Sequence, residues 1–248
     1  YWSFPPQYEP NYFPETSSRY WFPQRETMSH EERNQHILNR LKEVIQFAYE
    51  HAVFYRTIWN QAGFHPDHIK SLEDFEDKVP VIHKKDLRKA QARAPSFGDY
   101  LCVPEDEIHH IHGTSGTTGF PTVFAIGRGD WNAIANAHAR IMWGMGLRPG
   151  DIIFIASLFS LYWGSWGTLL GSERLNAKSF PYGAGAPGMT IRAVHWLKKI
   201  QPTAFYGTPS YALHLAETAK NEGIDPHDFG LKILFFSGEP GASVPGIR

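Results

Sequence analysis

The sequence predicts an α/β fold, a largely parallel sheet with helices on both faces. Two observations carry this. From about residue 108, short apolar runs alternate with helical stretches, and strand and helix in alternation imply parallel strands covered on both sides. Residues 29–107 instead carry helical periodicity, so a helical region is expected before the sheet.

The elements follow in order. Residues 1–28 are dense in Pro and aromatics and suit an extended arm packed on a surface rather than independent helices. Ser29 and Glu32 form a capping box before Ile37, Leu41, Val44, Ile45 and Ala48, which predicts one long amphipathic helix ending by Gly63. Ser71 to Leu87 reads as short helical pieces around Val79-Pro80. Within 108–248, strands are expected at 108–111, 123–126, 152–156, 178–180, 204–206 and 233–236. Helices are expected at 130–145, 163–175, 190–200 and 209–222, the first with Asp130 as N-cap and Gly146 as stop. In such sheets ligands sit at the carboxyl ends of the strands.

Composition narrows the function classes. The 248 residues are 42% hydrophobic and 15% aromatic, enough to bury a sizeable core. Twenty-four Lys and Arg against 25 Asp and Glu leave no basic field for a nucleic-acid backbone or an anionic membrane, so neither is an expected partner. No apolar run has the length of a membrane helix, and the N-terminus lacks a signal-peptide pattern, making the cytoplasm the expected compartment. A single cysteine, Cys102, excludes an internal disulfide and a four-cysteine zinc site, and nothing basic beside it argues for a reactive thiolate. His110 and His112 share a strand face, but with no third ligand nearby they read as hydrogen-bonded histidines, and no metal site is expected. No Gly-x-Ser-x-Gly elbow supports a serine hydrolase. The chain begins with Tyr rather than Met and stops soon after its last strand, so it is expected to be cut from something longer.

The strongest chemical signal is Gly113-Thr114-Ser115-Gly116-Thr117-Thr118-Gly119-Phe120-Pro121-Thr122. Its glycines let consecutive N–H groups converge and its hydroxyls add donors, which suits a phosphate. The same residues also make a plain hairpin turn. The spacing is not that of a P-loop, because five residues separate Gly113 from Gly119 and no lysine follows. A second segment, Ser157 to Gly167, mixes aromatics and glycines after a strand, and fits either a small-molecule pocket or the core of the next helix.

The string Thr114 to Thr122 resembles the phosphate-binding motif of adenylate-forming enzymes. The wider chain is similar to the phenylacetate-coenzyme A ligase family, whose motifs appear in order as Phe54-Tyr55-Arg56, Ser71-Leu72-Glu73-Asp74-Phe75, Val103-Pro104, Arg148-Pro149-Gly150-Asp151, Tyr206-Gly207-Thr208-Pro209-Ser210-Tyr211 and Gly238-Glu239-Pro240. The resemblance runs from about residue 34 onward. It implies a fragment of the large domain of an adenylate-forming enzyme, in which a carboxylate attacks the α-phosphate of ATP, pyrophosphate leaves, and coenzyme A displaces AMP. Thr114, Ser115, Gly116, Thr117, Thr118 and Gly119 would then hold phosphates together with Mg2+. Ser237, Gly238, Glu239 and Pro240 would pack on adenine, although they also read as a strand-ending turn. Phe159, Tyr162, Trp163, Gly164, Tyr206, Gly207 and Thr208 would line the pocket of a small, aromatic carboxylic acid. Phe120 replaces the lysine common after the loop, which removes a charge-assisted phosphate contact; Arg128 either compensates or is a solvated surface residue. The family's ribose-binding aspartate, hinge and lid lysine find no match in residues 1–248, so the chain alone is expected to be inactive. An acyl-protein synthetase of the same superfamily and a non-catalytic nucleotide-binding module are the alternatives, and a homodimer stays open.

Overall fold

The structure, a computed structural model, describes residues 12–114, 121–183, 186 and 188–241. Among these, residues 23–131 form one compact unit, and 12–22 with 132–241 form another.

The first unit begins with a one-turn helix, α1 (Pro23–Glu26), and two longer ones, α2 (His30–His51) and α3 (Val53–Gln61). Ser29 and Glu32 make the reciprocal capping box, with N···O distances of 2.9 and 3.2 Å. The single long helix expected here breaks at Ala52, which is extended and fully buried. The cause is local: the Phe54 N–H donates to the Asp99 carbonyl at 2.8 Å instead of continuing the ladder, and Arg56 donates to the orphaned carbonyls of Tyr49 and Glu50. Gly63, at φ +70°, follows the end of α3. Ile45, Trp59, Phe64 and Ile69 form the buried core, flanked by Leu38 and Leu41.

Helices α4 (Leu72–Lys78) and α5 (Lys84–Arg93) flank the Val79-Pro80 break. Asp74 holds α4 in place. It accepts the Lys78 ammonium at 2.6 Å and the N–H groups of Lys70 and Ser71, and these contacts, the lysine first, lower its pKa to about 2. A carboxylate depressed in this way stabilises the fold fully above its ordinary value of about 3.9 and loses that contribution as pH falls towards 2. Acid unfolding followed by circular dichroism should therefore be less steep below about pH 4 in Asp74→Asn than in the parent, because the variant has no proton to take up there.

Strands β1 (Ile108–Gly113) and β2 (Val123–Gly127) form an antiparallel hairpin in a two-stranded sheet of their own, rather than joining the parallel sheet. The connection of residues 114–122 explains this, since a parallel crossover needs a dozen residues or more. The outer edge of β2 is closed by side chains: Gln91 pairs with both the N–H and C=O of Val123, and the Tyr100 hydroxyl accepts from the Ala125 N–H at 2.7 Å. His110 stacks on Trp131 at 3.7 Å.

Helix α6 (Arg128–Gly144) starts two residues before the expected N-cap. Asp130 lies inside the first turn and reaches back, its carboxylate accepting from the Gly127 N–H at 2.9 Å; it serves the helix start from the position of a capping-box glutamate. Gly146, at φ +105°, is the stop.

The second unit holds a four-stranded, wholly parallel sheet in the order β4 (Lys178–Phe180), β3 (Ile152–Ile155), β5 (Ala204–Gly207), β6 (Ile233–Phe236). Side chains alternate across it. Ile153, Ile155, Ala204 and Tyr206 face Ala139, Met142 and Trp143 of α6 and Leu175 beyond α7 (Trp163–Arg174). Phe154 and Phe205 face Ala193, Val194 and Leu197 of α8 (Met189–Ile200) and Leu215 and Ala219 of α9 (Pro209–Asn221). Both faces are thus covered, as a parallel sheet requires.

Residues 12–22 strap onto this unit. Trp143 Nε1 donates to the Ser18 carbonyl at 3.1 Å, the Arg148 guanidinium lies 3.9 Å over the Trp143 ring, and Arg174 donates to Asn136 Oδ1 and to the Tyr12 carbonyl.

Candidate functional site

Strands β3, β5 and β6 end in register, with Ile155 opposite Tyr206 and Tyr206 opposite Phe235. The Ala156 N–H donates to the Tyr206 carbonyl at 2.7 Å and the Ser237 N–H to the Gly207 carbonyl at 3.2 Å, so the chains leaving the strands stay side by side. Their carboxyl ends carry a run of hydroxyls.

Tyr206 is central. It is 2% exposed, its ring meets Phe235 edge-on at 4.8 Å, and its hydroxyl shares a 2.8 Å hydrogen bond with Ser237 Oγ. Burial raises its pKa, the Ser237 bond opposes this, and the nearby Tyr162 phenol raises it further, so the phenol keeps its proton at neutral pH. Tyr162 precedes α7 in an extended conformation, is 44% exposed, and hydrogen-bonds Ser157 through its hydroxyl. Gly164, in the first turn of α7, fits beneath both tyrosines. A Cβ there would lie 2.3 Å from the Tyr206 hydroxyl and 2.9 Å from that of Tyr162, closer than atoms can approach.

The first turns of α7 fix the loop before it. Ser165 Oγ donates to the Leu158 carbonyl, Trp166 Nε1 to the Ser160 carbonyl, and Phe159 meets Trp166 edge-on at 5.3 Å. On the other side, Thr208 caps α9 by accepting from the Tyr211 N–H. The Glu239 carboxylate accepts from Ser210 N at 3.2 Å and Ser210 Oγ at 2.8 Å, a favourable place for negative charge at a helix start. Gly238, at φ +87°, makes the turn that brings Glu239 back.

Of the residues singled out from sequence, the structure therefore gathers Tyr162, Gly164, Tyr206 and Ser237 into one contact group, with Gly207, Thr208, Gly238 and Glu239 alongside. Phe159 packs into the core by the loop, Trp163 is half-buried, and Pro240 is exposed. Thr114 ends the β1–β2 hairpin, its N–H on the Thr122 carbonyl and its hydroxyl accepting from the Thr122 N–H at 3.1 Å. Ser115, Gly116, Thr117, Thr118, Gly119 and Phe120 lie outside the described residues. Arg128 is exposed at the start of α6.

Three further residues enter that sequence reasoning did not single out. Ser157 and Ser210 sit inside segments already noted, and the signal was simply a hydroxyl one residue past a strand or at a helix start. His138 gave no signal. It packs against α7, where a Cβ on Gly167 would lie 2.2 Å from its ring, and burial lowers its pKa. No group of three or more His, Cys, Asp or Glu side chains that could hold a metal occurs among the described residues.

No family model matches the chain. Curated relatives do. The phenylacetate-coenzyme A ligase of Pseudomonas putida is 36% identical over 215 residues, 87% of this chain and 47% of the relative. That of Thermus thermophilus is 33% identical over 218 residues, 88% of this chain and 47% of the relative. The chain thus spans about half the length of the curated relatives it matches. Among solved structures, 2-hydroxyisobutyryl-CoA ligase in complex with 2-HIB-AMP and CoA, in its thioesterification state, matches 99% of the chain at 65% identity and a TM-score of 0.95, over 52% of that protein. By sequence and fold, the chain belongs with the phenylacetate-coenzyme A ligase family of adenylate-forming enzymes, of whose members it matches a portion.

Proposed function

We propose that the chain supplies the nucleotide- and acid-binding part of an ATP-dependent acid-coenzyme A ligase whose acid is short and carries a 2-hydroxyl. The carboxylate would attack the α-phosphate of Mg-ATP with loss of pyrophosphate, and the thiol of coenzyme A would then displace AMP. Ser237, Gly238, Glu239 and Pro240 are assigned to the adenine. Thr114, Ser115, Gly116, Thr117, Thr118 and Gly119 are assigned to the phosphates, and Mg2+ shares their charge.

One observation carries the choice of acid. The space over Gly164 is taken by the Tyr162 and Tyr206 hydroxyls, which are hydrogen-bonded in turn to Ser157 and Ser237. Hydroxyls at this point can take a hydroxyl on the substrate into their hydrogen-bond chain, which a plain ring cannot join. The 65% identity to a 2-hydroxyisobutyryl-CoA ligase supports the same reading. An aromatic acid is the second reading, favoured by the ring-bearing residues Phe159, Tyr162 and Trp163 between β3 and the first turn of α7 and by the phenylacetate-coenzyme A ligase relatives. No helix among the described residues is long and apolar enough to cross a membrane, and a cytoplasmic setting is part of the proposal.

Acid-dependent exchange of labelled pyrophosphate into ATP by the complete polypeptide tests this. 2-Hydroxyisobutyrate should exceed phenylacetate in kcat/KM by about tenfold or more; the reverse order would favour the aromatic reading. Residues 1–248 alone should give no measurable exchange.

A further inference from the structure

The Tyr206 hydroxyl stands among three hydroxyl neighbours, of which Thr168 is held in place by its own bond to the Gly164 carbonyl at 2.8 Å. Ser237 Oγ is 2.8 Å away on the turn assigned to adenine. The Tyr162 hydroxyl, on the acid side, crowds with it over the Cα of Gly164 and interacts with it. A phenol has one proton to donate, so Tyr206 can give it to Ser237 or to Tyr162 but not to both. Its ring cannot move aside, because it is buried against Phe235 and the backbone of α7 abuts the hydroxyl. The choice of partner is therefore the only freedom left at this point. Tyr162 has a second partner of its own in Ser157, so an acid that engages Tyr162 or Ser157 changes which bond Tyr206 makes. The turn beyond is tied down at two other points, Ser237 N to Gly207 O and Glu239 to Ser210, so a change at Ser237 Oγ is felt by an otherwise fixed segment.

We propose that Tyr206 is a positioning residue that couples the acid pocket to the nucleotide-binding turn, its single proton passing between Tyr162 and Ser237 as the acid binds. This rests on the ligase reading above. With acid bound, Tyr206 donates to Ser237 and holds the turn in its nucleotide-binding position; without acid, the bond is shared and the turn is held less firmly. Acid and nucleotide then strengthen each other's binding by the same factor.

Calorimetry on the complete polypeptide measures that factor as the affinity for α,β-methylene ATP with saturating 2-hydroxyisobutyrate divided by the affinity without it. The parent should show a ratio well above one. Tyr206→Phe and Ser237→Ala should each reduce the ratio by about 2- to 10-fold, the range of one neutral hydrogen bond, and the double variant should fall no further. Both variants remove only a hydroxyl, and unchanged melting curves separate lost coupling from lost fold. A ratio in Tyr206→Phe equal to the parent's, or additive effects in the double variant, overturns the coupling. A parent that exchanges pyrophosphate with acid yet shows a ratio of one overturns it too, with the ligase reading intact. A parent with no acid-dependent exchange removes the ligase reading itself, and the coupling with it.

Discussion

Trp143→Ala is expected to destabilise the sheet-bearing unit by about 3–5 kcal/mol, the range for removing a fully buried large aromatic. Trp143 is 1% exposed, and three separate groups rest on it. Its ring meets Trp21 at 5.6 Å and Phe13 at 6.0 Å, both edge-on, which is the favoured geometry for aromatic pairs. The Arg148 guanidinium lies on its face at 3.9 Å and is held there by the Trp143 and Leu147 carbonyls. Its Nε1–H donates to Ser18, which fixes residues 12–22 against the sheet. Truncation would leave a cavity beneath that segment and strip Arg148 of its platform. Trp143→Phe, which keeps most of the apolar surface but loses the Nε1 donor, should cost only about 1–2 kcal/mol. Urea unfolding of the complete polypeptide gives both values, and limited proteolysis should cut within residues 12–22 faster in the alanine variant alone. Equal losses in the two variants would mean that the hydrogen bond to Ser18, rather than ring packing, dominates at this position.

The strap illustrates what the sequence could and could not reveal. Aromatic and proline density marks residues 1–28 as a packed arm, yet composition carries no information about which arginines hold the carbonyls of its described part, because Arg148 and Arg174 lie far away in the chain. Local signals were legible. The Ser29 box, the stop at Gly146 and the strands Lys178–Phe180 and Ile233–Phe236 all depend on residues within one turn or one strand of each other. The failures share one cause. Ala52 breaks a helix because the Asp99 carbonyl captures the Phe54 N–H from outside it, and among the described residues β1 and β2 pair only with each other, an outcome that apolar runs do not specify.

The site divides in the same way. That Tyr206, Gly207 and Ser237 lie at strand ends was legible, because each closes or follows an apolar run that reads as a strand. Their mutual geometry was not, and it shifts the expectation about substrate. Read as a string, Phe159, Tyr162 and Trp163 offer ring-shaped walls. In the fold, Phe159 turns to Trp166 and the core, while Tyr162 presents its hydroxyl to Ser157 over a glycine. Aromatic content in the sequence became hydroxyl content at the site.

Gly171→Ala is expected to destabilise by about 1–3 kcal/mol, although alanine is the better helix former by about 1 kcal/mol. Gly171 lies in α7 where that helix meets α6, and a Cβ would come within 2.5 Å of His138 Cβ, 2.6 Å of Met142 Cε and 2.9 Å of the Ala139 backbone nitrogen. Met142 Cε can swing away. His138 Cβ and the Ala139 nitrogen are fixed to the α6 backbone, so relief requires the two helices to separate, and the Ala139 and Met142 core is fully buried on that side. Gly167, one turn earlier, meets the His138 ring and would yield more cheaply, because a ring can rotate where a backbone cannot. The order of losses in thermal or urea unfolding should therefore be Gly171→Ala above Gly167→Ala. Separation at Gly171 also reaches the site, since the same helix begins at Trp163 and carries Gly164 beneath the two tyrosines. In the complete polypeptide, Gly171→Ala should raise the KM for the acid as well as lower the melting temperature. A stabilised Gly171→Ala variant would mean that α6 and α7 stand farther apart than this packing describes.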